Sequence, residues 1–196
     1  MSESTRRSET VAESDDRTAV ANRLADRTDA VDGRVFKDEP EILTLDYAAE
    51  KPQTVPLGSG RIAQIDTAGY EIAFVAVANP DALDTPVLRV YVIPQSMVTY
   101  ATPDADSTLH DIGTALRNTT DASGYIRSDD EILRDDYLSL KFDVEPDAVA
   151  LSNTDRQRIV ASGYEICKIA YDKTESEARV YIEEHTDTGH ARDLMR

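Results

Sequence analysis

The stretch Gly69-Tyr70-Glu71-Ile72-Ala73-Phe74-Val75-Ala76 returns 94 positions later as Gly163-Tyr164-Glu165-Ile166-Cys167-Lys168-Ile169-Ala170. Each copy is followed by a second shared block, Arg89-Val90-Tyr91-Val92 in the first and Arg179-Val180-Tyr181-Ile182 in the second. Alternation of β-branched and aromatic residues reads as strand, and the Arg-Val-Tyr block can return antiparallel beside the strand before it. The four-residue difference in spacing between Gly and Arg falls in the hairpin connection, Ala78 to Pro86 against Asp172 to Glu177. An Arg-Ile segment precedes each copy, Arg61-Ile62 and Arg158-Ile159, and reads as a third strand. Each copy is therefore expected to be a three-stranded meander. Two such units predict a mainly β chain, a β-sandwich or jelly-roll-like barrel in which each sheet contains one copy.

Working outward, strand rhythm begins at Ile42-Leu43-Thr44-Leu45-Asp46-Tyr47, continues through Arg61 to Asp66, Glu71 to Ala78 and Val87 to Ile93, and is punctuated by Pro56, Gly58-Ser59-Gly60 and Asn79-Pro80-Asp81. A short inserted helix is expected after Pro103, capped by Asp106 or Ser107 and carrying Leu109, Ile112 and Leu116 on one face. A helical turn is read at Ile132-Leu133. Strands resume at Tyr137 to Val144, Ala148 to Leu151, Arg158 to Val160, Tyr164 to Tyr171 and Ala178 to Glu183. The organisation read from this is a polar N-terminal arm, 1–36, a β-domain, 37–186, and a polar C-terminal tail, 187–196.

Thr10 and Glu13 have capping-box spacing, which opens a helix toward Asp32 in the arm. Its apolar stripe is thin, and Val20, Leu24 and Val31 are the residues able to dock on a neighbour. A solvated leader and a docking arm are both compatible with that pattern.

Composition speaks to habitat. The chain of 196 residues carries 38 acids against 21 bases, a formal charge of −17, and by count the acids are 24 Asp and 14 Glu while the bases are 16 Arg and only five Lys. Short carboxylates keep a surface hydrated, and in molar salt the Debye length falls to about 3 Å, which screens the self-repulsion. A halophilic setting, virion or cytoplasmic, follows. A nucleic-acid mimic or acidic tail is the competing reading, but these acids are spread among apolar runs. No basic stripe exists to displace counterions from nucleic acid, so direct nucleic-acid binding is not expected. No apolar stretch approaches a membrane span, and the N-terminal residues lack the apolar core of a secretory signal.

Chemistry-bearing residues form no known pattern. Cys167, the single cysteine, aligns with Ala73 and reads as a packing residue. His185 and His190 lie beside Glu183, Glu184 and Asp187, with a spacing that matches no zinc motif. Asp104-Ala105-Asp106 begins like a calcium loop, but Leu109 stands where the turn Gly belongs and Ala115 where the bidentate Glu belongs. No metal, cofactor or catalytic residue is assigned. The remaining candidate is a sheet face bearing Arg89, Tyr91, Arg179 and Tyr181, residue types favoured at interfaces. The plainer reading of these four is a covered sheet face in which the Arg residues pair with Glu71 and Glu165. The expected function is a non-enzymatic structural or assembly protein of a halophilic system, such as a capsid or tail component, with self-association or other subunits as partners. A ligand-binding or regulatory β-domain is the alternative, and a metal-assisted enzyme using the acids and His110 comes third.

Overall fold

A helix, three strands, a helix and two strands are laid down twice along the chain. In the computed structural model, described for residues 3–37, 39–48, 54–78, 87–127, 138–144, 149–172 and 174–186, the first round comprises α1 (Glu3–Thr28), β1 (Asp32–Val35), β2 (Leu43–Ala48), β3 (Thr54–Leu57), α2 (Ser59–Thr67), β4 (Tyr70–Ala78) and β5 (Val87–Pro94). The second comprises α3 (Leu109–Thr119), β6 (Gly124–Arg127), β7 (Leu138–Asp143), β8 (Val149–Leu151), α4 (Asn153–Ala161), β9 (Tyr164–Asp172) and β10 (Glu177–Glu184). A connector, Gln95 to Thr108, joins the rounds and begins with a single 3₁₀ turn, Gln95–Met97. The duplication read from two short blocks thus extends over nearly the whole chain. The helical turn read at Ile132-Leu133 lies outside the described residues.

Two expected strands are helices. Arg61 to Asp66 falls within α2 and Arg158 to Val160 within α4. In α2, Ile62 and Ile65 stand three apart and are both buried, the period of a helix face and not of a pleat. In α4 the Ser152 hydroxyl accepts from the Asp155 amide while the Asp155 carboxylate accepts from the Ser152 amide, a full capping box. The equivalent of Ile65 is Ile159, so Arg61-Ile62 and Arg158-Ile159 do not occupy matching positions of the repeat. Gly69 and Gly163 end these helices with φ of +82° and +80°, the left-handed conformation that glycine adopts without strain. The helix expected after Pro103 forms as α3, but it opens the second round as the counterpart of α1 and is not an insertion, and Thr108, in place of Asp106 or Ser107, is its cap, in a capping box with Asp111.

The strands form two five-stranded antiparallel sheets, ordered β1-β2-β5-β4-β8 and β3-β9-β10-β7-β6. The fold is β-rich, and neither sheet closes into a barrel. Four strands of each sheet come from one round, and the fifth comes from the other. β3 leaves its own round to pair with β9, while β8 pairs with β4. Leu57 stands opposite Ile169 and Leu151 opposite Val75, an equivalent pair in each crossing, although β3 continues in regular register along β9 whereas β8 shifts register next to Val75. Pro56 is tolerated in β3 because that strand is an edge. The pairing skips Ala73 in β4 and Cys167 in β9, a bulge at the same place in both rounds.

One continuous apolar core joins the rounds, with Val75, Leu88 and Val90 from one sheet, Ile169, Val180 and Leu140 from the other, and Ile65 and Ile159 from α2 and α4. The arm takes part in it. Ala21, Leu24 and Ala25 of α1 are buried there, and β1 pairs with β2. Gly33 of β1 lies so close to α1 that an added Cβ would stand 2.4 Å from the Ala21 carbonyl oxygen.

Candidate functional site

Strand alternation gives each sheet a face turned away from this core, and the Arg-Val-Tyr blocks place Arg and Tyr on it. On the first sheet, Arg89 donates from Nε and Nη2 to the two carboxylate oxygens of Asp46, both at 2.7 Å, and Arg34 reaches the same carboxylate at 3.3 Å. Asp46 is buried beneath them, and its hydrogen bonds hold the Arg89 guanidinium above its ordinary pKa. Beside this pair Tyr91 stacks on Phe74, with ring centroids 3.8 Å apart, and receives the edge of Phe36 at 5.3 Å. Ile42, Ala73 and Ile93 extend this satellite apolar cluster, and Val98 of the connector packs on it.

The second sheet presents the same framework with different chemistry. Lys168, the equivalent of Phe74, places its ammonium 4.9 Å from the centre of the Tyr181 ring. Lys141, the equivalent of Asp46, bonds Glu177 at 2.8 Å, and Arg179 turns to Glu177 as well. Burial by itself would raise the Glu177 carboxyl, but the hydrogen bonds from Lys141 and Arg179 bring it below its ordinary range. Ile126 of edge strand β6 is exposed on this sheet, opposite a buried Ser139 whose hydroxyl has no partner among the described residues.

The pairing partners of the two Arg residues are therefore Asp46 and Glu177, in place of the expected Glu71 and Glu165. Those two acids stand one residue into β4 and β9 and gather around Tyr100 of the connector. Tyr100 hydrogen-bonds Glu71 and feels the charge of Glu165 and Arg156; burial first, then these acids, push its phenol far above the ordinary value. Its ring stacks on His185 at 3.7 Å, and His185 Nδ1 lies 2.5 Å from the Glu165 carboxylate. Arg156 is buried alongside, bonded through Nη2 to Asn153 at 3.2 Å, with its Nε unpartnered among the described residues. Just beyond Tyr100, the Ala101 amide donates to Val160 at 3.2 Å, and Gly163 leaves room for the chain, since a Cβ there would lie 2.6 Å from Ala101 O and from Pro103. The connector is in this way fastened to both rounds.

The other candidates separate. Leu24 is buried and Val20 packs against the core, whereas Val31 is 65% exposed. Cys167 is buried at its bulge, its thiol donates to the Tyr181 carbonyl at 3.4 Å, and burial pushes its pKa up, so it is no ready nucleophile. His110 bonds the Tyr125 hydroxyl at 2.8 Å on the surface of α3. His190 and Asp187 lie outside the described residues. Among the described residues no three His, Cys, Asp or Glu side chains converge to hold a metal ion, and no helix is long and apolar enough to cross a membrane. Sequence reasoning missed the Tyr100 junction, whose members are scattered between positions 71 and 185 and share no spacing. Comparisons of the chain with family models, with curated proteins and with solved structures returned no match.

Proposed function

We propose that the chain is a non-enzymatic assembly protein of a halophilic system, with its two outward sheet faces as attachment surfaces and a virion of a haloarchaeal virus as its setting. The observation that carries this reading is the pair of equivalent faces, each with an Arg-Val-Tyr strand at its centre and each chemically different. Aromatic and Arg side chains held by neighbours lose little entropy on contact, which suits them to interfaces. On this reading the architecture is a variant of the two-sheet sandwich, with α2 and α4 each touching a strand of both sheets.

Light scattering in molar KCl tests it. The expected result is a mass above 21.7 kDa that grows with concentration and falls back to that of one chain in Phe74→Glu or Tyr181→Glu, with circular dichroism unchanged. A chain that stays monomeric at high concentration, and whose melting temperature rises sharply with a small molecule, would instead establish the ligand-binding alternative.

A further inference from the structure

We infer that the surface each half of this chain is built to bind is the other half, whichever molecule supplies it, so that two copies can join by exchanging halves through β3 and β8. Neither half owns a complete five-stranded sheet: β4 lacks its outer neighbour without β8, and β9 lacks its outer neighbour without β3. The two crossings share an equivalent central pair, Leu57 against Ile169 and Leu151 against Val75, and differ beyond it, where β8 shifts register and β3 does not. Both crossing leucines are fully buried, and Ile65 and Ile159 of the helices that follow them lie in the same core. This is the pattern of an isologous two-fold interface, in which residue i meets j and j meets i, here carried on a single chain.

Backbone pairing across the halves would be identical whether the partner half is tethered or foreign. What favours the closed chain is the connector, which holds the mate at an effective concentration on the order of millimolar and is itself fastened by Tyr100 and by Ala101 to Val160. Exchange between copies is thus held back by the tether and not by the interface. The inference does not depend on the outward faces having any partner.

Shortening the connector tests it in the full chain. Removal of Thr102 to Asp106, which leaves the Thr108 cap in place, prevents the chain from following its path past Val160 and Gly163 to α3. The expected product in molar KCl is a folded species of twice the 21.7 kDa chain mass, with the wild-type circular dichroism, and adding Phe74→Glu and Tyr181→Glu leaves that doubling intact. A folded monomer would overturn the inference. Should the shortened chain fail to fold, the full-length protein carrying a protease site at the exposed Asp104 to Asp106 turn decides: after cleavage the halves should elute together at unchanged mass in native mass spectrometry, and two separate folded monomers would overturn the inference equally.

Discussion

At the position just past the bulge the N-terminal half carries Phe74 and the C-terminal half Lys168, and each lies over the tyrosine of the neighbouring strand. The same backbone thus holds a stacked aromatic pair in one half and a cation over a ring in the other. Asp46 and Lys141 diverge in the same way, so Arg89 is locked to a buried carboxylate while Arg179 shares the more accessible Glu177 with a lysine. Helix and strand also trade volumes. In one half Ala21 meets Gly33, and at the matching positions in the other Gly113 meets Tyr125, where a Cβ on Gly113 would lie 2.5 Å from the ring. The contrast teaches that strand order, helix stops and the bulge at Ala73 and Cys167 are common to both halves while the outward faces and local side-chain fits differ.

The largest effects should be equal in the two halves. Leu57→Ala and Leu151→Ala each remove a fully buried side chain from a crossing strand, and each is expected to cost about 3 kcal/mol in guanidinium unfolding in molar KCl; a cost confined to one of them would break the symmetry of the exchange. The glycine pair should diverge. Gly69→Ala meets open space and only the left-handed backbone, a cost of about 1 kcal/mol, whereas Gly163→Ala also drives into Ala101 and Pro103 and should approach about 3 kcal/mol. Arg89→Ala leaves the buried Asp46 to Arg34, its other cationic partner among the described residues, and should cost about 2 kcal/mol, against less than about 1 kcal/mol for the more exposed Arg179→Ala.

The smallest contrast is set by pH. Tyr47 donates to the Thr28 hydroxyl at 2.8 Å, and burial pushes its pKa to about 12, whereas the matching residue in the other half is Phe142. The folded chain holds this proton more tightly than the unfolded chain does. Its contribution is therefore complete below the ordinary tyrosine value of about 10 and is lost as pH rises through about 12. Unfolding curves of Tyr47→Phe should show a weaker alkaline decline than wild type, with a loss of about 1 kcal/mol at neutral pH for the missing hydrogen bond.

Much of this was legible from residues alone. The alternation in Tyr70 to Ala78 and Tyr164 to Asp172 is long enough to identify a strand, and the Ser152 to Asp155 spacing already spelled a helix start that the neighbouring Arg158-Ile159 obscured. α2 was harder, because Ala63 and Ile65 keep the spacing of a pleat beside the helical spacing of Ile62 and Ile65, and its cap, Gly58, offers no side chain. β1, β3 and β6, four residues each, are too short to show alternation. The crossing of β3 and β8 was invisible for a different reason: which strand a short segment pairs with is decided by distant partners, not by its own pattern. The Tyr100 junction was hidden likewise, since only folding brings Glu71, Arg156, Glu165 and His185 to one tyrosine.

The bulge at Cys167 also makes the molecule its own recorder. A lone thiol, buried and held in protonated form, is inert to alkylating reagents while β9 remains seated between β3 and β10. The rate at which it becomes labelled reports the loosening of β9 from β10, so a mass spectrometer can time that local opening in unmodified protein.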